Sequence, residues 1–172
     1  VCSVLLSSIV LKFSSLILVK IISPLFKVYS YKYIGYLVSI GVLVSTIQSL
    51  CAKDLKTIVA YASVIHMGIY TFILTFCNNV KYFTYSVLYH TFSMALSFLI
   101  LDILKNNYKS LNFTTIKIKN KYEMMLLTIS TLVTIGFPFT WGFIVETVSI
   151  LSLVQYDIII AGIVGLSLLF YT

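Results

Sequence analysis

Four ionisable side chains lie in the middle of long apolar runs: Lys12, His66, His90 and Glu146. A charge at the centre of a bilayer costs about 2.5–3.5 kcal/mol or more unless it faces protein or water, so each is a functional candidate by position alone. His66 and His90 sit near the middles of consecutive, antiparallel runs, which lets them share one depth. Imidazole takes up and releases a proton near neutral pH. A lysine, two histidines and a carboxylate inside a membrane offer one chemistry, the movement of protons. Each also has a plainer reading. Lys12 can be a cation snorkelling from a helix start, and the histidines can be interhelical hydrogen-bond donors. Lys20, eight residues after Lys12 and next to the Pro24 loop, reads as a snorkelling anchor.

The elements that must hold these residues are helices. Of the 172 residues, 60% are apolar and 10% charged. A soluble domain of ordinary composition carries about 25% charged residues. A bilayer accommodates the apolar excess because it is itself the apolar solvent. Apolar runs of about 20 residues, with no alternation at period two, predict spanning helices and not a barrel. The fold class expected is an all-α membrane protein with about six transmembrane helices in one membrane domain, residues 1–172. The helices are expected at 1–22, 33–52, 57–80, 82–104, 122–154 and 157–172, the first and last cut short. The fifth run exceeds a hydrocarbon core of about 30 Å if straight, and Gly136 and Pro138 stand in its middle. Proline removes a helical donor, so a break near Gly136–Pro138 is expected, either as the half-helix arrangement that builds ion sites or as a simple kink.

The net charge is +7, and every cation is a lysine. Successive links alternate sides of the membrane. The Lys53-Asp54-Leu55-Lys56 turn and the Lys105–Lys121 loop therefore share a face and hold most of the lysines. By the positive-inside rule that face is the matrix or cytoplasm. Asp54, Asp102, Glu123 and Asp157 fall at span ends and read as interfacial. No basic stripe stands apart from apolar sequence, so nucleic acid is not a partner; membrane lipids are. Cys2, Cys51 and Cys77 form no pair motif and read as small apolar residues. No phosphate loop, haem or iron–sulfur spacing is present, and two histidines without an HxxxH pair do not make a zinc site. No cofactor or metal is expected.

Four stretches together resemble the antiporter-like subunits of respiratory complex I, and subunit 4 of the mitochondrial enzyme most of all. Ser3-Val4-Leu5-Leu6-Ser7-Ser8-Ile9-Val10-Leu11-Lys12-Phe13 resembles the family's eighth helix, S-x-x-L-A-x-x-L-L-K-L. Asp54-Leu55-Lys56-Thr57-Ile58-Val59-Ala60-Tyr61-Ala62-Ser63-Val64-Ile65-His66-Met67-Gly68 resembles D-L-K-x-L-I-A-Y-S-S-V-S-H-M-G at the start of the tenth. Tyr89-His90-Thr91-Phe92 resembles the A-H-G-L of the eleventh. Gly136-Phe137-Pro138 with Phe143-Ile144-Val145-Glu146 resembles the twelfth, where Pro and Glu are also eight apart. Subunits 2 and 5 usually carry lysine at that last position, so Glu146 favours subunit 4. Ser14-Ser15 stands where the family has Gly-Gly, and Ile65 where it has Ser.

The resemblance implies an antiporter-like bundle in the mitochondrial inner membrane, and a non-redox subunit of the proton-translocating NADH:ubiquinone reductase. Lys12 would be the central proton carrier, His66 and His90 would pass protons onward, and Glu146 would be the terminal site. It implies other membrane-arm subunits of complex I as partners. It also implies a separate polypeptide, or a longer chain, carrying the family's N-terminal half. Two other readings stay open: a cation/proton antiporter subunit outside complex I, and a structural membrane scaffold without a proton path.

Overall fold

The computed structural model describes residues 10, 12–17, 31–77, 80–108, 110–112, 114, 116 and 118–171. Residues 12–17 are helical. Six further helices follow: α1 (Tyr31–Cys51), α2 (Leu55–Cys77), α3 (Val80–Tyr108), α4 (Lys121–Ile135), α5 (Trp141–Tyr156) and α6 (Ile158–Tyr171). The described residues contain no strand beyond a single bridge between Asp54 and Asn112. Most of the expected 1–22 span, Lys20 included, lies outside the described residues.

The bundle is apolar outside and hydroxyl-rich inside. Leu37, Ile47, Phe92, Leu151 and Leu169 are exposed, while Ser39, Ser63, Ser86, Ser97, Ser149 and Ser167 are buried. A protein in water would favour the reverse. Lipid supplies no hydrophobic force between helices, so close packing by small residues holds them together. The buried hydroxyls are satisfied locally, as where Ser86 donates to the Phe83 carbonyl and Ser167 to that of Val164. Gly68 permits one close crossing, since a Cβ there would stand 2.5 Å from Val42 Cγ2 on α1. Two helices, α2 and α3, contain stretches long and apolar enough to cross a membrane (Leu55–Phe72 and Lys81–Tyr108), and shorter apolar helices cover Gly35–Cys51, Trp141–Gln155 and Ile158–Tyr171.

The helix ends follow from local chemistry. The α1–α2 turn and the loop after α3 meet on one face, where the Leu55 amide donates to the Leu111 carbonyl at 3.2 Å. On the same face Lys56 pairs with Asp102. The α3 helix runs to Tyr108, beyond the expected end at 104. Its polar last turn stays helical and is tied down by Asn107, whose Nδ2 donates to Glu123 Oε1 at 2.8 Å. Asn120 caps α4 through its side chain, which accepts from the Tyr122 amide. At the far end, Asp157 closes α5 and starts α6, its Oδ1 accepting from the Ile159 amide at 3.0 Å.

Between Ile135 and Trp141 the chain leaves helical geometry. Gly136 adopts φ 71° and ψ 44°, the left-handed conformation that glycine takes without Cβ strain. Its amide, and that of Phe137, return to the Leu132 and Val133 carbonyls. Pro138 has no amide to offer. Thr140, extended, then starts α5, and its carbonyl accepts from the Phe143 amide.

Candidate functional site

The break positions Glu146. The residue lies on the second turn of α5, and its carboxyl group folds back over Gly136. A Cβ at position 136 would stand 2.7–2.8 Å from Oε1, Oε2 and Cδ of that carboxyl. Gly136 thus serves twice, ending α4 and leaving the space the carboxylate fills. Tyr89 of α3 enters the same break. Its hydroxyl donates to the Val133 carbonyl at 2.8 Å, in the last turn of α4, where the same carbonyl also accepts from the Gly136 amide at 3.4 Å. Gly142 makes room for it, since a Cβ there would meet the Tyr89 Oη at 2.8 Å.

His66 of α2 faces this carboxylate, with its Nδ1 3.6 Å from Glu146 Oε1. His90 of α3 lies beside it, the imidazole centroids 5.4 Å apart. Both histidines are 2% exposed. Tyr171 of α6 meets His66 edge-on at 5.6 Å, and Tyr70 packs against both rings. Among the described residues, neither nitrogen of either imidazole has a hydrogen-bond partner. The Thr134 backbone comes close beside His66 without closing a bond of good geometry. A buried polar group left without a partner costs about 1–3 kcal/mol.

Lys12 is buried, at 5% exposure. The structure thus brings His66, His90 and Glu146 together from α2, α3 and α5, and buries Lys12 on the 12–17 segment. Three tyrosines and a threonine complete the surroundings and were not picked out from sequence. Tyr89 had a signal in standing next to His90, but neighbours on a helix point about 100° apart, so adjacency did not place it. Tyr70 and Tyr171 are single aromatics in apolar runs, and nothing in their spacing marks them. Among the described residues, no three His, Cys, Asp or Glu side chains gather as metal ligands.

Residues 1–171 match the family described as NADH:quinone oxidoreductase/Mrp antiporter, TM. The chain belongs to this family. Within the NADH:quinone oxidoreductase/Mrp antiporter family it is similar to NADH-quinone oxidoreductase subunit M of Rickettsia prowazekii (strain Madrid E), at 30% identity over 178 residues, covering 97% of this chain and 36% of the relative. Subunit M of Rickettsia felis (strain ATCC VR-1525 / URRWXCal2) gives the same identity and coverage. Subunit M of Rickettsia typhi (strain ATCC VR-144 / Wilmington) is also 30% identical, with 35% of its length covered. The chain thus spans about a third of the length of the curated relatives it matches. Family membership agrees with the inside-out distribution of serines and leucines and with the ionisable cluster at the centre of the bundle.

Proposed function

We propose that this chain is part of a proton-translocating membrane-arm subunit of NADH:quinone oxidoreductase, the counterpart of subunit 4 in the mitochondrial inner membrane. Its six helices, with the segment around Lys12, span that membrane with the Lys53–Lys56 face on the matrix side. Lys12, His66, His90 and Glu146 carry protons, and redox chemistry takes place in other subunits. Other membrane-arm subunits and the remaining helices of the antiporter-like bundle are its partners. The observation that carries this reading is the cluster itself. Two histidines and a glutamate from α2, α3 and α5 converge in an apolar bundle of this family, Lys12 is buried on the 12–17 segment, and among the described residues neither imidazole has a hydrogen-bond partner.

Such a cluster can pass charge efficiently. In a low-dielectric site the interaction of two charges rises as the effective dielectric falls. A proton arriving at His66 is attracted by the Glu146 carboxylate and repelled by the Lys12 ammonium, so the charge on either partner biases where it rests. Glu146 favours subunit 4 over its siblings, and the lysine-rich, arginine-free composition favours an organellar gene.

The test is proton pumping by the assembled complex in sealed vesicles. Lys12→Ala and Glu146→Gln are expected to lower protons moved per NADH oxidised several-fold while the complex still assembles. Wild-type pumping by both assembled variants would place the proton path elsewhere. The family's description also includes Mrp antiporters, which supports a second reading as a cation/proton antiporter subunit. Co-purification with a quinone reductase separates the two.

A further inference from the structure

We infer that Tyr82 and Tyr89 are positioning residues for Glu146: their hydroxyls strap α3 across the break between α4 and α5 and hold the carboxyl in register with His66. This rests on the proton-relay reading and names what aligns two of its groups.

The break creates a problem of alignment. Inside a helix each amide bonds to the carbonyl four residues earlier, so the rotation of one turn fixes that of the next. Between Ile135 and Trp141 the chain belongs to no helix. Its backbone bonds there are short returns: the Gly136 and Phe137 amides go back to α4, and the Thr140 amide donates to the Phe137 carbonyl at 2.9 Å. The rotation of α5 about its own axis is therefore set by its neighbours. Side chains step around a helix by about 100° per residue, so a turn of one residue's worth carries Glu146 away from His66.

The α3 helix supplies the hold. Tyr89 Oη donates to the Val133 carbonyl, in the last turn of α4. Tyr82, seven residues earlier and so on the same face of α3 two turns away, places its Oη 3.3 Å from the carbonyls of both Ile144 and Val145. One strap ends on each side of the break, and the α5 acceptors are the two residues before Glu146. Carbonyls do not titrate, so the straps hold whatever the charge on the carboxyl. The backbone is cut to fit them. A Cβ at Gly142 would meet Tyr89 Oη at 2.8 Å and the Gly136 Cα at 3.1 Å, so the hydroxyl and two glycine backbones crowd one point. The Glu146 carboxyl rests on the same Gly136. Where the pattern of the resembling family reads A-H-G-L, this chain reads Tyr89-His90-Thr91-Phe92. Alanine has no hydroxyl, so the Val133 strap comes with this chain's own residue.

The test uses the whole complex carrying Tyr82→Phe, Tyr89→Phe or both, each change keeping the ring and removing the hydroxyl. Two quantities are read per assembled complex. One is protons moved per NADH oxidised in sealed vesicles. The other is the rate at which dicyclohexylcarbodiimide, an apolar carboxyl reagent that enters from the membrane, modifies Glu146, followed by mass spectrometry of this chain. A purely structural role lowers the assembled yield and moves neither quantity. Release of the straps is expected to speed modification of Glu146 several-fold and to lower pumping several-fold, most in the double variant. In a Glu146→Gln background the tyrosine changes should lower pumping no further. Tyr85→Phe, on the same helix with its ring exposed, is expected to match the wild type in both. If one single variant does not assemble, the other decides. Wild-type modification of Glu146 without the hydroxyls overturns the inference, as does equal acceleration in Tyr85→Phe. So does faster modification with undiminished pumping where Glu146→Gln itself lowers pumping, because the alignment then does not serve the relay. Modification reads the carboxyl's position whether or not protons pass it. Wild-type pumping by Glu146→Gln would therefore refute the relay and leave the straps to be judged by modification alone.

Discussion

The bundle is unlike itself on the two sides of the His66–Glu146 pair. Toward Asp157, fourteen buried apolar residues from α1, α2, α3, α5 and α6 form one core. Toward the lysine-rich loops, Leu101, Leu104 and Leu111 form a smaller cluster, with Ala62, Met94 and Phe98 also buried, beside a cavity with both apolar residues and hydroxyls in its wall. Both halves share α2 and α3 and use similar residue types, so composition does not explain the difference. The break does. With α4 ending at Ile135, the α5 helix that follows packs into the far half against α2 and α6. In the loop half α4 reaches α3 alone with a full interface, and the wedge between α2, α3 and α4 stays open.

The strongest way to break this comparison is a matched pair of truncations. Leu153→Ala in the closed half is expected to cost about 3–5 kcal/mol, because the surrounding core is too constrained to collapse onto the void. Leu101→Ala, also buried but lining an existing cavity, should cost about 2 kcal/mol. Thermal midpoints of the intact complex compare the two, and equal losses would mean the halves are equally tight. A smaller effect is expected at the boundary. Gly142→Ala pushes a methyl into the Tyr89 hydroxyl, breaking its bond to Val133 at a cost of about 1–3 kcal/mol. Combining it with Tyr89→Phe should cost less than the two changes added, since one clash and one bond share an atom. Strict additivity in assembled yield would show that Tyr89 does not staple the break. The least effect belongs to the lysine-rich loop face. The Lys56–Asp102 pair is about a quarter exposed, so Asp102→Asn should shift stability by no more than about 0.2–1 kcal/mol, and less at high salt. A larger, salt-independent loss would mark the pair as part of the closed core.

Much of this was legible in the residues. The cost of placing charge in lipid singled out Lys12, His66, His90 and Glu146, and a run too long for a bilayer with Gly136 and Pro138 inside it marked the break. Neither argument depends on tertiary detail. What escaped was whatever depends on rotation about a helix axis. The alternation of exposed leucine with buried serine around α1 or α3 could not be assigned a face before the neighbours were known. Gly142 carried no mark, because a glycine one residue into a helix has many uses, and its purpose appears only when Tyr89 is found against it. The α3 helix runs past the expected 104 to Tyr108 because polar residues at an aqueous face continue a helix at little cost, so the end of an apolar run does not mark the end of the helix.

The break beneath the carboxylate also has a mechanical meaning. Glu146 stands about 9 Å along α5 from the pivot at Thr140. Tilting α5 by about 10° around that pivot would swing the carboxylate through about 1.5 Å, using the helix as a lever arm. The gap to His66 is 3.6 Å, within about 1 Å of hydrogen-bonding distance. Half the swing closes the contact, and the same swing in the other direction opens it to a separation where water intervenes. With that lever arm, a tilt of a few degrees would be geometrically enough to make or break a single electrical contact.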